Sequence, residues 1–263
     1  TSSPRAHDHA VDRGGVTVSS VLVTGGGSGI GAALALELAG RGCRVVVSGR
    51  RAEALDAVTT TSALVSACDG DVTDAEHRSA LVAALGALPA PRAIVHAAGY
   101  FQLGMLDTLT VADWRRSFEV NVEARWLLSR EASGLLDGGR VLFIGSDAGA
   151  SPRPGAAAYS VAQSSSETLR RALQIEWADS TTSVSGFKPC LVDTDMVRGF
   201  LQLSPEEFPA RAAYEEYIAA GQLSTPETIA RFAAWLLLDV DAERFSATEW
   251  DVRNGAYRPD WSG

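Results

Sequence analysis

The sequence predicts a doubly wound α/β fold, a parallel sheet of about seven strands with helices on both faces. Three observations predict it. From residue 16 onward, short β-branched runs alternate with Ala/Leu/Glu/Arg stretches of helical period. The runs are nearly continuous in apolar residues, as in strands buried on both faces. The intervening stretches are long enough to serve as helical crossovers between parallel neighbours.

In order along the chain, residues 1–15 are polar and aperiodic and read as a disordered arm. His7 and His9 lie in it without partners and read as inert, and the arm lacks the apolar stretch of a signal peptide. Strands are expected at 16–23, 44–48, 63–68, 92–96, 140–144, 184–189 and 247–252. Between them, helices are expected near 29–40, 51–58, 74–85, 111–136, 157–177 and 226–238. With no interior linker or repeat, residues 16–263 read as one domain. The stretch at about 195–223 breaks the alternation, and Ser204-Pro205-Glu206-Glu207 reads as a helix start within it. An insertion after a strand's carboxyl end is where substrate-covering lids lie. Phe200, Leu201, Leu203, Phe208, Tyr214 and Tyr217 fall in it. They read equally as walls for a bulky apolar ligand and as packing of the lid itself.

Composition narrows the function. The chain has 263 residues, 46% hydrophobic and 21% charged, with 32 acidic against 23 basic residues and a net charge of -9. Such a balance argues against a nucleic-acid or anionic-membrane surface. The best apolar run, 232–238, falls far short of the ~18 residues of a membrane span. Cys43, Cys68 and Cys190 are spaced for neither a disulfide framework nor a zinc site, so a soluble cytoplasmic protein is expected. Of the 23 basic residues only Lys188 is a lysine.

The first strand runs straight into Thr24-Gly25-Gly26-Gly27-Ser28-Gly29-Ile30-Gly31 and then a helix. Glycines let the backbone approach a pyrophosphate, and the helix N-terminus offers free N–H groups and positive dipole. At the first strand-to-helix turn of an α/β sheet this is a nucleotide signal. The second strand ends in Gly49-Arg50-Arg51. An acid there accepts from the ribose 2′-hydroxyl of NAD, whereas arginine accommodates the 2′-phosphate of NADP(H). The bland alternative is two solvated arginines opening a helix.

The segment Thr24-Gly25-x-x-x-Gly29-x-Gly31 resembles the cofactor loop of the short-chain dehydrogenase/reductase family, a Rossmann-type fold. Further matches come in the family's order. Asp71-Val72 resembles the pair that contacts adenine, and His96-Ala97-Ala98-Gly99 resembles an Asn-Asn-Ala-Gly segment. Asn121 matches the helix asparagine, and Ser146 and Tyr159 stand at the family's separation. Pro189-Cys190-Leu191-Val192-Asp193-Thr194 is similar to Pro-Gly-x-Val-x-Thr, with Cys190 in the glycine's place. The resemblance covers about 16–257.

The resemblance implies that Tyr159 donates a proton to a carbonyl and that Ser146 orients it. Asn121 then holds a relay water, and Ser28, Ile30, Ala98, Gly99 and Thr194 border NADP(H). It also implies a homodimer or homotetramer. One departure stands out, because the family's lysine four residues after the tyrosine is Gln163. Glutamine can keep a hydrogen bond to the ribose but carries no charge. Loss of the charge hurts oxidation, which needs tyrosinate, more than reduction, which needs the protonated phenol. NADPH-dependent reduction of a bulky carbonyl is therefore expected. An NADP(H) sensor, or a non-redox dehydratase or cyclase, stays open as an alternative. Lys188, beside Pro189, either restores part of the charge at Tyr159 or leans to solvent.

Overall fold

The computed structural model describes residues 18–206 and 208–261. The expected arm at 1–15, the first two residues of the first expected strand, and Glu207 lie outside the described residues. Among the described residues seven parallel strands form one sheet in the order 3-2-1-4-5-6-7. They are β1 (Ser20–Thr24), β2 (Arg44–Gly49), β3 (Val65–Asp69), β4 (Arg92–His96), β5 (Arg140–Ile144), β6 (Ser183–Lys188) and β7 (Trp250–Asp251). This is the Rossmann-type order, and it reverses between β1 and β4, the point where such sheets open a crevice.

Side chains alternate across the sheet with the period of two that a strand imposes. Val21 and Val23 join one core, with Leu34 and Leu38 of α1 (Gly29–Gly40), Leu55 of α2 (Ala52–Thr59) and Phe232 of α9 (Pro226–Leu238). Leu22, Ile94 and Phe143 join the other core. It is completed by Leu81 of α3 (Ala75–Gly86), Leu128 of α5 (Ala124–Glu131) and Leu173 of α6 (Ala157–Glu176). Each fully buried Leu, Ile or Phe contributes about 1.5–3 kcal/mol. Helix starts follow capping chemistry: the Asp74 carboxylate accepts from the Glu76 amide, and Thr225 precedes Pro226 at the first turn of α9.

Three expectations are corrected. The helix expected over 111–136 is α4 (Val111–Phe118), a π-helical segment Glu119–Glu123, and α5, followed by a 3-10 turn Ser133–Leu135. A 3.6-residue apolar period does not distinguish an uninterrupted helix from one carrying a π turn. No helix starts at Ser204. Its carbonyl accepts from the Phe208 amide in a single turn, and the segment instead holds α7 (Asp195–Phe200) and α8 (Arg211–Ala219). The last strand is shorter than the expected 247–252, since α10 (Ala242–Ala247) occupies its start.

Candidate active site

One cavity of about 610 Å³ lies along the carboxyl edge of the sheet. It takes lining from the residue immediately after each of the first six strands: Gly25, Arg50, Gly70, Ala97, Gly145 and Pro189. Every site residue expected from sequence lines it except Thr24 and Asn121. Those two act one layer back. The Thr24 hydroxyl accepts from the Ala97 and Ala98 amides at 3.2 and 3.1 Å, tying the end of β1 to the turn after β4. Asn121 is fully buried. Its Oδ1 accepts from the Tyr100 amide at 3.1 Å, and its Nδ2 donates to the Tyr100 carbonyl at 2.8 Å. Nδ2 also reaches Ser117 Oγ at 3.3 Å, so the side chain braces the turn after β4 from within the helix.

At the glycine turn, Gly25 and Gly29 have φ of 69° and 52°, in the left-handed region that favours glycine. A methyl group at Gly25 would lie 2.7 Å from the Ala98 nitrogen. Ser28 caps α1 without a side-chain hydrogen bond to the helix. Bare backbone and free helix N–H groups thus face the cavity, a cradle that suits a pyrophosphate. Beside it, Arg51 Nη2 donates to Ser28 Oγ at 3.1 Å, and the exposed Arg50 borders the same end. Asp71 accepts from the Thr73 amide and hydroxyl at 3.0 and 2.8 Å and pairs with Arg116, a lining residue that no motif flagged. Burial would raise its carboxyl, but these partners outweigh it and hold it below the ordinary value.

At the other end Tyr159, in the first turn of α6, faces Ser146 and Gln163. Burial raises its phenol above the ordinary value of 10, against the pull of Ser146, Arg125 and Gln163 toward ionisation. Ser146 Oγ accepts from the Ala148 amide at 3.2 Å, so its proton is free to be donated into the cavity. Gln163 is 4% exposed. Arg125, also missed from sequence, lines the cavity beside them. Its only sequence signal is a place four residues after Asn121, one helical turn on. Lys188 does not line the cavity; its register partner on β7 is Asp251. Of the two readings of Lys188, its absence from the cavity lining gives no support to the first, and the cation acting on Tyr159 is Arg125. His96 lies behind this end, fully buried, its Nε2 sharing a 2.8 Å hydrogen bond with Ser129 Oγ.

Aromatic side chains wall the remaining space. Phe101 lies between Tyr159, edge-on at 4.5 Å, and Phe200, tilted at 4.3 Å between centroids, and Tyr214 meets Phe200 at 6.0 Å. Phe208, Leu201 and Leu203 do not line this cavity, and Phe208 and Leu203 pack in a small core beneath the segment with Val197 and Phe200. Phe200, Tyr214 and Tyr217 thus border the cavity, whereas Phe208 and Leu203 pack within the segment. Cys190, standing where a glycine was expected, adopts φ 61°, with its Sγ 3.2 Å from Ser224 Oγ.

Fold and site together define a Rossmann-type protein with a Ser–Tyr pair at one end of a glycine-cradled cleft. A family model described as short chain dehydrogenase matches residues 19–202, and the chain belongs to that family of nicotinamide-dependent oxidoreductases. A probable tetrahydroxynaphthalene reductase of Zymoseptoria tritici is 30% identical over 230 residues, 83% of this chain and 80% of that protein. Versicolorin reductase 1 of Aspergillus parasiticus is 32% identical over 223 residues, 82% of this chain and 80% of that one. A short-chain dehydrogenase/reductase structure from Saccharomyces cerevisiae shares the fold, with a TM-score of 0.85 at 20% identity over 92% of this chain and 99% of that one.

Proposed function

We propose that the protein reduces the carbonyl of a bulky, largely apolar small molecule to a secondary alcohol, using NADPH, with Tyr159 as proton donor. The observation that carries this reading is the Ser146–Tyr159 pair opening onto the aromatic wall of Phe101, Phe200 and Tyr214. The first relative is named for a hydroxylated naphthalene, a substrate of the flat aromatic kind that such a wall suits.

When bound, NADPH supplies the hydride for the carbonyl carbon. Ser146 donates to the carbonyl oxygen and fixes its direction; Tyr159 gives its phenolic proton to the same oxygen as negative charge develops there. Burial keeps the phenol protonated across the neutral range, the form that reduction needs. Reduction is then sustained into alkaline solution and declines as pH rises through the Tyr159 value, while oxidation follows the opposite course. Asn121 acts as a positioning residue by clamping Tyr100, and Gln163 offers its amide to the ribose. Arg50 and Arg51 receive the 2′-phosphate. The segment 195–223 serves as a lid over the apolar end. The exposed Trp126 on α5 and Val161 and Ile175 on α6 support self-association through those helices.

Titration with both cofactors and turnover of a panel of polycyclic and small aliphatic ketones test the reading. NADPH is expected to bind more tightly than NADH, by about 10–100-fold, the worth of a charge-assisted hydrogen bond. Arg50→Ala is expected to remove most of that margin. Equal binding of both cofactors sinks the arginine assignment. Tight NADPH binding with no turnover of any ketone sinks the reductase and leaves the sensor or non-redox enzyme.

A further inference from the structure

Arg125 is 4% exposed, in the first turn of α5. Its guanidinium is tied to three elements. Nη1 donates to the Ile144 carbonyl at the end of β5 and to Ser166 Oγ on α6, both at 3.1 Å. Nη2 donates to the Ala98 carbonyl just after β4, also at 3.1 Å. Nε is buried without a hydrogen-bond partner, and so is Oε1 of Gln163. Both residues line the cavity with Tyr159. A buried guanidinium held by neutral acceptors alone is costly, because hydrogen bonds to carbonyls and a hydroxyl return less than a counter-ion would. Burial pushes Arg125 down to about 10, and the nearby Tyr159 is the group that raises it.

We propose that Arg125 supplies, from α5, the buried positive charge of this acid–base site, acting through Tyr159, and that position 163 is neutral because that charge is already in place. A lysine at 163 would set a second cation beside a guanidinium that already lacks a counter-ion. Arg125 is a positioning residue in this scheme. It favours the negative charge that grows on the phenolic oxygen as the proton leaves. At about 10 the guanidinium is still protonated at neutral pH, so there it is a fixed charge and takes no part in carrying the proton onward.

The groups facing the pair come from several elements. Tyr159 meets Ser146 after β5, Gln163 on α6, Arg125 on α5 and Tyr214 on α8, which is itself paired with Arg153. Arg125 also faces the neutral His96 on β4. Among these Arg125 is the cation that opposes the burial of Tyr159.

The proposal rests on Tyr159 as the proton donor, yet its test needs no turnover. Tyrosines are replaced by the more acidic 3-fluorotyrosine and the Tyr159 midpoint is followed by 19F NMR, with Tyr159→Phe identifying the resonance. Arg125→Met is expected to move the midpoint up by about one pH unit or more, the range for loss of an adjacent opposite charge. Arg125→Met/Gln163→Lys is expected to bring it back. Gln163→Glu keeps Arg125 and its three anchors, so it remains informative if Arg125→Met does not fold. Its carboxylate is expected to pair with Arg125, preserving the melting temperature while raising the Tyr159 midpoint. An unchanged midpoint in folded Arg125→Met, or a Gln163→Glu protein whose melting temperature falls as an unpaired buried carboxylate would make it, overturns the proposal. A shifted midpoint in a protein that reduces no ketone leaves this inference standing and sinks the reductase reading instead.

Discussion

The two ends of β5 each hold a buried arginine, and the two do different work. At the amino end Arg140 donates to the Leu236 and Val240 carbonyls at 2.7 and 2.6 Å, at the close of α9, and its guanidinium lies 4.7 Å over the Phe245 ring. At the carboxyl end Arg125 donates to Ile144 of the same strand but leaves Nε unpaired beside the cavity. Burial pushes both down to about 10. Arg140 satisfies helix-end carbonyls and complements the helix dipole, so its charge is used in holding the sheet to α9. Arg125 has charge left to act on a neighbour. Burial alone therefore does not tell a structural cation from a functional one; the unspent donor does.

Experiments at the two ends sharpen or break that division. The largest effect is expected from Tyr159→Phe, which should lower reductive turnover by about 10²–10⁴-fold, the usual worth of a general acid, while the melting temperature holds. A parallel collapse in stability would place Tyr159 with the structural residues. Next comes Arg140→Met. It orphans two carbonyls and should cost about 3 kcal/mol in denaturant unfolding, with turnover per folded molecule unchanged. Altered turnover in that variant would erase the division between the ends.

Smaller effects are expected from His96 and Cys190, both near the cavity. His96 is held well below its ordinary value of 6.5, first by burial and then by Arg125. The folded protein therefore binds fewer protons than the unfolded chain once pH drops below about 6.5. Stability from this group is complete above that pH and lost below it, by at most about 1.4 kcal/mol per pH unit. Urea unfolding at pH 7.5 and 5.5 should show the loss, and His96→Gln should flatten it; an equal slope in the variant would acquit His96. Cys190→Gly should relieve a left-handed backbone that costs a side-chain-bearing residue about 1–2 kcal/mol. Loss of the contact with Ser224 offsets part of that, so a gain below about 1 kcal/mol is expected in the melting curve. Destabilisation would mean that the Cys190–Ser224 contact outweighs the strain.

Much of this was legible in the sequence because it is written in spacing. The glycine turn and Ser146 sit at strand ends and Tyr159 at a helix start, and those boundaries follow from apolar runs and helical periods that only a doubly buried sheet accounts for. Arg125 was not legible. It belongs to no motif, its neighbours in sequence look like any helix, and its meaning arises only where β4, β5 and α6 converge on it. The break at Glu119–Glu123 escaped for a related reason, since a π turn keeps the apolar period nearly intact. Lys188 stayed open between two readings because closeness in sequence to Pro189 does not say what its side chain reaches.

That break also governs how the site is encoded. Ser117, Asn121, Arg125 and Ser129, all buried, recur every four residues. In an unbroken 3.6-residue helix such a row slips sideways by about 40° at each step and would wind out of the interior. The π turn unwinds the slip, so the file stays on the buried face from Asn121, which clamps Tyr100, to Ser129, which donates to the Arg125 backbone carbonyl and meets His96. What lines up these groups is helical phase. Deleting Glu119, Val120, Val122 or Glu123 would leave every one of these side chains present in the sequence and throw the file out of alignment.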